Sequence, residues 1–360
     1  MDLIEDFEMI EAIEDAEAHD RAARRPRVLR ARINFLEVLN DVDFKSRFRL
    51  TKNAVLAIHD QIKDKISQCT TRNNAVPTIV QLLLTLRYFA TGSYLMSAGD
   101  IVGVSRSSAC RFIKGCSEAI ADLRPKYVRF PQDLAPLKEG FYKFAQFPRV
   151  IGAIDCTHVA MSPSGENAEV FRNRKGVSSV NVQVVCDANL IIRDIVARWP
   201  GSSDNETIFD NSLIKARFEA GQFNNSILLG DSGYQSTPYL FTPLAQTNTP
   251  AENLYNESQM RTRNVVEKCI GVLKSRFPVL QRRITLSMQR TAAIVVACAV
   301  LHNVAVGMND EPFQLEIEHE PDEIEEQIIE NDDDVDYGPR RNLILDYFTP
   351  LLNDDGDLHN

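Results

Sequence analysis

Two short segments that each join an apolar run to a carboxylate constrain the fold of this chain most. Residues 226–234 (Ser-Ile-Leu-Leu-Gly-Asp-Ser-Gly-Tyr) place Asp231 directly after an apolar run and before a glycine-containing turn. This pattern predicts a short buried strand with an acid at its carboxyl end. An upstream segment, residues 149–158, has the same pattern and places Asp155 after its apolar run. The chain is therefore expected to contain a sheet that carries two acids at strand ends.

A third acid, Glu267, lies on a predicted helix. In residues 261–277 the apolar side chains recur at three- and four-residue steps, which is the spacing of an amphipathic helix. Glu267 falls at the border of the apolar stripe and can reach under a neighbouring sheet edge. Carboxylate oxygens are preferred ligands of Mg²⁺, and two such ions can stabilise the attacking and leaving oxygens of a phosphodiester. Asp155, Asp231 and Glu267 are therefore predicted to bind divalent cations, Mg²⁺ or Mn²⁺.

Five short motifs resemble the PIF/Harbinger-type DDE transposases, and most closely the Harbinger transposase-derived nucleases. They are residues 152–158 (Gly-Ala-Ile-Asp-Cys-Thr-His), 199–204 (Trp-Pro-Gly-Ser-Ser-Asp), 229–234 (Leu-Gly-Asp-Ser-Gly-Tyr), 263–267 (Arg-Asn-Val-Val-Glu) and 298–303 (Cys-Ala-Val-Leu-His-Asn). Several motifs in the right order are more specific than any one of them. The resemblance covers most of the chain and implies an α/β protein with an RNase H-like catalytic core. It places the metal ligands at Asp155, Asp204, Asp231 and Glu267.

The activity that the resemblance implies is a metal-dependent nuclease, a hydrolase acting on ester bonds. Asp155, Asp231 and Glu267 are then its catalytic residues. Asp204 is a ligand only by the resemblance. Its local sequence, the Ser-Ser-Asp-Asn run at 202–205, equally has the composition of a helix N-cap. A domesticated DNA-binding or interaction protein that has lost catalysis is the main alternative. A phosphatase using the same ions is a second alternative, against which the charge distribution argues.

The net charge of −10 conceals a strongly basic central region. Residues 1–20 carry nine acids and no Lys or Arg, and residues 310–336 carry fourteen acids and no Lys or Arg. Residues 337–360 have a net charge of −2, which leaves +15 for residues 21–309. A basic body of this kind favours a polyanionic partner, and DNA is the partner expected. The acidic segment at 310–336 has the composition of a solvated, disordered tail.

The change from helical to strand-like periodicity predicts the domain organisation. Strand patterns at 178–187 and 190–199 indicate a hairpin, and residues 235–257, with three prolines, are predicted to be a loop-rich insert. The expected order is an acidic then basic arm over 1–32, a helical, helix-turn-helix-like DNA-binding region over 33–123, a connector over 124–148, an RNase H-like DDE nuclease domain over 149–307, and an acidic, largely disordered tail over 308–360.

Two sets of polar side chains are candidates for contact with nucleic acid. The first set is Arg106, Ser107, Ser108 and Arg111, at the start of the second helix of the helix-turn-helix-like region. The second set is Arg172, Arg174 and Lys175, which precede a predicted strand and could bind phosphate near the metals. The alternatives are an ordinary bundle helix with a solvated face for the first set, and a solvated loop for the second. The Arg-rich run at 21–32 is a DNA-contacting arm, an import signal or a linker.

The remaining features bear on compartment and partners. Seven scattered cysteines without a CxxC pair predict reduced thiols and no zinc site. His158 and His302 are expected to be structural. The longest apolar run, 292–301, is shorter than a membrane-spanning segment, so no membrane association is expected. The resemblance implies a Myb/SANT-like partner protein and localisation in the nucleus, with the cytoplasm as a second compartment, and it leaves a homo-oligomer open.

Overall fold

The computed structural model of the chain describes residues 34–67, 75–162, 168–310 and 338–356. The predicted basic arm at 21–32 and the acidic segment at 311–337 lie outside these residues. The helices that precede the sheet are α1 (Phe35–Val38), α2 (Asp41–Phe48), α3 (Lys52–Ile66), α4 (Thr78–Thr91), α5 (Leu95–Val102), α6 (Arg106–Ala121), α7 (Arg124–Tyr127) and α8 (Ala135–Ala145).

Polar caps and apolar faces explain why the N-terminal helices form where they do. The side chains of Asn40, Thr51 and Ser105 each accept a backbone N–H from the first turn of α2, α3 and α6, respectively. Short polar side chains at these positions satisfy N–H groups of the first turn that have no partner within the helix. Buried side chains such as Phe89 and Phe112 belong to the same hydrophobic core as the two long helices at 250–276 and 288–307. The helical region therefore packs directly on the rest of the molecule.

The predicted connector at 124–148 contains two short helices, α7 and α8, each with a proline in its first turn. Pro125 and Pro136 stand in the first turns of α7 and α8. A proline at this position loses no hydrogen bond, since the first N–H groups of a helix have no partner within it. Prolines at these positions are therefore compatible with the two short helices. Leu137 and Phe141 of α8 are buried, so the connector is part of the core.

A five-stranded mixed sheet forms the centre of the fold. Its strands are β1 (Val150–Ala160), β2 (Ser179–Cys186), β3 (Ile192–Pro200), β4 (Ile227–Leu229) and β5 (Leu240–Phe241). They lie in the order β3-β2-β1-β4-β5. β1 pairs antiparallel with β2 and β2 with β3, whereas β1 pairs parallel with β4 and β4 with β5. The predicted hairpin is confirmed. The last residue of β4, Leu229, pairs with Ala153 in the middle of β1. Asp155 therefore lies within β1 and not at its end, which corrects that part of the prediction.

Helices cover both faces of this sheet. They are α9 (Asn205–Asp210), α10 (Leu213–Glu219), α11 (Pro250–Arg276) and α12 (Met288–Gly307). Val182 and Val184 of β2 share a hydrophobic cluster with Val266 and Cys298 of the two long helices. On the other face, Val185 packs in a separate cluster with residues of α9 and α10. The result is a mixed α/β architecture in which α11 lies against the face that carries Asp155.

The predicted loop-rich insert at 235–257 is mostly turn and loop over residues 235–249, as expected, whereas residues 250–257 are helical, which corrects the end of the insert. β5 falls inside it, and α11 begins at Pro250. Thr249 and Glu252 form a capping box around the helix start, in which each side chain bonds the other's backbone N–H. Pro250 occupies the first turn, as in α7 and α8. The helix that carries Glu267 is therefore 27 residues long, about three turns longer at its N-terminus than the apolar stripe over 261–277 indicates.

Helix α12 is a buried core element. It is 20 residues long with a mean hydropathy of 1.6, which is long and apolar enough to cross a membrane by composition alone. In the fold, 67% of its apolar window is buried. It packs between the N-terminal helices and the sheet. Burial against protein on several sides explains its apolar composition.

Two adjacent polar residues of α12 hold the turn and start of the edge strand β3. The Asn303 amide accepts from Ile192 N at 2.8 Å and donates to Ile192 O at 2.7 Å, as a neighbouring strand would. It also donates to Tyr127 O at 2.9 Å. The His302 Nε2 atom lies 2.8 Å from Leu190 O in the turn between β2 and β3. The His-Asn pair at 302–303 therefore has a structural role, as predicted for His302.

Replacing Asn303 by Leu should lower the free energy of unfolding by about 2–4 kcal/mol, because it leaves buried backbone groups without hydrogen bonds. Urea denaturation followed by circular dichroism measures the change. Asn53 on α3 is exposed, so Asn53→Leu is the matched control and should change stability by less than about 0.5 kcal/mol. Equal, small effects of both substitutions would contradict this account of the Asn303 contacts.

Part of the predicted disordered tail is folded against the body, which corrects that prediction for residues 338–356. The segment forms α13 (Gly338–Leu343), a π-helical turn (Ile344–Phe348) and α14 (Thr349–Gly356). Arg340 is buried beside the carbonyls of Thr242 and Pro243. The Phe348 ring is also buried and packs on Phe147 and Tyr255. Burial of these side chains offsets the entropy that an acidic tail would otherwise retain.

Candidate active site

Asp155 lies in β1 with its carboxylate on the face that α11 covers. The side chain is 9% exposed, and its Oδ1 atom accepts from Cys156 N at 2.7 Å. Its register partner on β2 is Val184, so an apolar surface surrounds the base of the carboxylate. Burial in such surroundings disfavours the charged form of an acid.

Asp231 follows β4, the parallel neighbour of β1. Its Oδ1 atom accepts from Gly233 N at 3.1 Å, which closes a tight turn after the strand. Gln259 of α11 is fully buried and donates to Gly230 O at 2.7 Å. This contact fixes the backbone immediately before Asp231 to the helix that carries Glu267. The strand end and the helix are thus held together by a side chain that touches neither acid.

The two aspartates affect each other electrostatically. Burial, followed by the charge of Asp231, raises the pKa of Asp155 to about 7. Burial also raises the pKa of Asp231. The positive charge of Arg263 lowers the pKa of both acids and so opposes this shift, whereas the negative charge of Glu267 raises the pKa of both. The buried carboxylate of Asp155, within β1, and the half-buried carboxylate of Asp231, after β4, therefore share a region in which added positive charge is favourable.

Arg263 and Glu267 complete this region from α11. Glu267 is 41% exposed at its side chain, and its carboxylate forms an ion pair with Nη2 of Arg263, one helical turn earlier. The Nη1 atom of Arg263 lies 3.7 Å from Oδ2 of Asp155. The guanidinium therefore stands between the buried aspartate and the glutamate. Spacing of i, i+4 and i+8 along α11 places Gln259, Arg263 and Glu267 on one helix face.

Asp204 acts as the N-cap of α9. Its Oδ1 accepts from Thr207 N at 2.6 Å and its Oδ2 from the Thr207 hydroxyl at 3.0 Å. The hydrogen bond to Thr207 N is the main cause of a lowered pKa of Asp204. After burial itself, the charges of Asp155, Asp231 and Asp204 all raise the pKa of the Cys156 thiol. Asp204 thus lies in the neighbourhood of the other acids while its oxygens serve the helix start.

Further side-chain contacts support β1 from the opposite face. The Cys156 Sγ and Tyr234 hydroxyl lie 3.3 Å apart. This contact links the residue after Asp155 to the turn that follows Asp231. His158, on the same strand, has Nδ1 3.0 Å from the Ser179 hydroxyl. These contacts tie the acid-bearing segments to each other and to β2.

The residues predicted to contact nucleic acid lie on exposed segments. Arg106, Ser107 and Arg111 are exposed at the start of α6, and Ser108 is half-buried. The turn between α5 and α6 contains Gly103 with a φ of 69°, a conformation that favours glycine. The second set, Arg172, Arg174 and Lys175, is exposed; Arg172 pairs with Glu169, and the charge of Arg174 reaches Asp204.

The donor set suits a hard divalent cation, with one obstacle. Asp155 and Asp231 offer carboxylate oxygens in a buried region whose acids have raised pKa values, the chemistry that Mg²⁺ and Mn²⁺ prefer. In the part of the chain that the structure describes, no group of three or more acids, histidines or cysteines surrounds a single point. The guanidinium of Arg263 lies beside both Asp155 and Glu267, in the region that an ion bound to these acids would enter. With that side chain displaced, Asp155, Asp231 and Glu267 could hold the ion.

Two residues of this site have no role in the sequence prediction. Arg263 falls within the motif at 263–267, and Gln259 lies one helical turn before it. The signal that could have identified them is their four-residue spacing from Glu267, since side chains at this spacing share a helix face. Their contacts with Asp155 and with Gly230 depend on where the helix crosses the sheet, which the spacing does not reveal.

Comparisons with known proteins match this architecture. The family described as DDE superfamily endonuclease matches residues 154–303, a range that contains all four predicted acids. The protein named "Putative nuclease HARBI1" from Rattus norvegicus is 33% identical over 87% of this chain and 93% of its own length. Its counterpart from Homo sapiens is 32% identical with the same coverage. "Protein ALP1-like" from Arabidopsis thaliana is 23% identical over 76% of this chain and 69% of its own length. The chain therefore belongs to the Harbinger transposase-derived nuclease family of the DDE superfamily.

Proposed function

We propose that this protein is a metal-dependent DNA endonuclease with a two-metal site formed by Asp155, Asp231 and Glu267. The observation that carries the proposal is the buried carboxylate of Asp155 in β1 next to the half-buried carboxylate of Asp231 after the parallel strand β4, faced by a helix that bears a third acid. Placing acids of the same charge close together in a partly buried region costs free energy, and such arrangements occur preferentially at functional sites. Asp204 is proposed as a further ligand, which would require its oxygens to leave the Thr207 cap or to use their remaining lone pairs.

The order of the strands supports an RNase H-like core. Three antiparallel strands followed by parallel strands on the far side of β1 give the order β3-β2-β1-β4-β5. The acids stand at β1, at the end of β4 and on the long helix across the sheet. The helix α11 packs on β1 and β2, and the charge of Glu267 raises the pKa of both Asp155 and Asp231, which places the three acids in one region.

In the proposed mechanism, different residues hold the metal ions, position the acids and bind the phosphate. Asp155 and Asp231 present fixed negative charge at one point, because Cys156 N and Gly233 N hold their Oδ1 atoms. Divalent ions, when bound, would activate the nucleophile and stabilise the leaving oxygen of a phosphodiester. Gln259 holds the β4 end against α11 and so preserves the separation of the acids. Arg172, Arg174 and Lys175 are proposed to bind phosphate near Asp204.

DNA as the substrate follows from charge and from the helical region. The net charge of +15 over residues 21–309 favours a polyanion. We propose that α5 and α6 form a helix-turn-helix in which Arg106, Ser107, Ser108 and Arg111 contact DNA. The exposed positions of these side chains at the N-terminus of α6 support this role, since recognition helices contact DNA through their N-terminal residues.

The double substitution Arg106→Ala with Arg111→Ala should weaken binding to duplex DNA and lower the slope of log affinity against log salt by about 2, one for each lost phosphate contact. Fluorescence anisotropy at several salt concentrations measures both quantities. Lys63→Ala with Lys65→Ala is the matched control. Lys65 pairs with Asp122 at the opposite end of α6, so this variant should retain the wild-type slope. An equal loss in both variants would refute a specific role for the start of α6.

The main alternative is a domesticated DNA-binding or interaction protein without catalysis. The placement of Arg263 among the acids favours this alternative, because a cation of the protein itself already balances their charge. Cleavage of supercoiled plasmid with Mg²⁺ or Mn²⁺ separates the two functions. Activity that disappears in Asp155→Asn or Asp231→Asn supports the nuclease, whereas salt-dependent DNA binding without cleavage supports the alternative.

Partner and compartment remain proposals that rest on the resemblance. We propose a Myb/SANT-like partner protein that contributes to target recognition, and localisation in the nucleus, with the cytoplasm as a second compartment. A basic body with a short helical DNA-binding region is suited to shared recognition, since each module adds affinity through effective concentration. A homo-oligomer is compatible with the same arrangement.

A further inference from the structure

The guanidinium of Arg263 occupies the centre of the acid site. Its side chain is 14% exposed, Nη1 lies 3.7 Å from Asp155 Oδ2, and Nη2 is paired with the Glu267 carboxylate. The Nη1 atom is also buried without a hydrogen-bond partner. Arginine therefore contributes charge to the buried aspartate side of the site without forming a full set of hydrogen bonds there.

This arrangement conflicts with metal binding at the same acids. A divalent ion bound to Asp155 and Glu267 would stand next to the guanidinium, and like charges at that distance repel strongly in a buried region. The ion also needs oxygens of Glu267, one of which is bound to Arg263. Both effects oppose loading of the site unless the arginine side chain moves.

We infer that Arg263 is a counter-cation of the acid site which a divalent ion must displace, so that it lowers the metal affinity of the DNA-free protein. The inference rests on the proposed function for the identity of the metal ligands. Arginine suits this role because its charge is permanent. Its long side chain can also leave the site by rotation without moving α11, since the Gln259 contact that anchors the helix is separate.

A purely structural role makes the opposite prediction. If Arg263 serves to orient Glu267 as a ligand, its removal leaves Glu267 less ordered and metal binding becomes weaker or stays the same. If it is a counter-cation, removal of its charge strengthens metal binding. The sign of the change in metal affinity therefore separates the two roles.

Calorimetric titration of the full-length protein with Mn²⁺ tests the inference. Arg263→Gln keeps a polar side chain of similar length but removes the charge, and it should bind Mn²⁺ about 10-fold tighter or more, the scale on which a neighbouring charge alters the binding of a cation to a carboxylate. Arg263→Lys keeps the charge and should stay close to the wild-type affinity. Arg261→Gln is the matched control, because Arg261 lies on the same helix and pairs with Glu257 at an exposed position.

Thermal unfolding supplies a second readout that also reports on folding. Without metal, Arg263→Gln should unfold at a lower temperature than wild type because the acids lose their counter-charge. Mn²⁺ should raise its midpoint by more than it raises that of the wild type. A smaller Mn²⁺-induced rise in Arg263→Gln than in wild type would overturn the inference.

The outcomes distinguish failure of the inference from failure of the proposed function. Suppose that the wild type binds Mn²⁺, that Asp155→Asn does not, and that Arg263→Gln binds no tighter than the wild type. The metal site is then supported and the counter-cation role is wrong. If neither wild type nor Arg263→Gln binds Mn²⁺, the metal site itself is wrong and the inference is overturned with it. Tighter binding in Arg263→Gln that disappears on adding Asp155→Asn supports both.

Discussion

Asp155→Asn is expected to reduce Mg²⁺-dependent cleavage of supercoiled plasmid by at least about 10²–10³-fold, the scale of losing one preorganised electrostatic group in an active site. The substitution keeps the shape of the side chain and removes its negative charge. The buried carboxylate of Asp155 is next to Asp231 and is held by Cys156 N. Loss of this charge weakens the attraction for divalent cations at the centre of the donor set.

The same variant should keep or increase its affinity for DNA, because one acid fewer faces the phosphates in the absence of metal. Gel-shift titration alongside the cleavage assay measures this separation. Asp122→Asn is the matched control, since Asp122 is exposed and pairs with Lys65 on the surface. It should leave cleavage and binding at the wild-type level. Full metal-dependent cleavage by Asp155→Asn would show that the acid site is not catalytic and would favour the non-catalytic alternative.

Asp310→Asn is expected to lower the free energy of unfolding by about 3–5 kcal/mol, because it leaves buried positive charge without its counter-charge. Both the Arg276 and Asp310 side chains are almost fully buried, with Arg276 Nη1 3.6 Å from Asp310 Oδ2. Lys45 Nζ lies 2.6 Å from Oδ1 of the same carboxylate, and Thr51 N donates to its Oδ2 at 3.1 Å. The pair thus joins the end of α11 to the start of α3 and to the end of α12.

Denaturant unfolding of a double-mutant cycle measures this coupling. Arg276→Met removes the buried cation, so the double variant should be less destabilised than the sum of the single variants. Asp41→Asn is the control, since Asp41 is exposed and pairs with Lys52 on the surface. It should change stability by less than about 1 kcal/mol. Simple additivity of the two buried substitutions would show that the charges at the end of α11 are not coupled.

This ion pair has a consequence for the candidate active site. Arg276 is the last residue of α11, and Glu267, Arg263 and Gln259 lie on the same helix. The helix is therefore anchored at its C-terminal end by Asp310 and near its middle by the contact of Gln259 with β4. Between these anchors, the side chains that face the acids can change conformation while the backbone that carries them stays in place.

Local pattern was sufficient for several parts of the structure. The apolar runs before Asp155 and Asp231 predicted strands, and the hairpin of β2 and β3 followed from alternation, because side chains of a strand point alternately to its two faces. The stripe around Glu267 predicted a helix for the same kind of reason. Caps such as Thr51 and Ser105 were also predictable, since a cap acts on backbone groups within a few residues of itself.

The sequence by itself determined the strands that carry or precede Asp155 and Asp231, the hairpin, the helix of Glu267 and the basic body, because periodicity, net charge and residue type are local or additive properties. The short strand β5 and the helices over 338–356 became apparent only in the tertiary structure. The tertiary structure decided what those acids contact. Asp204 caps α9, Glu267 binds Arg263, and Arg263 reaches Asp155 because α11 crosses the sheet at one particular point. The roles of Gln259 and Asn303, whose amides bind backbone of distant strands, depend on the same crossing geometry. Contacts between residues far apart in sequence depend on the packing of whole elements, which no short pattern contains.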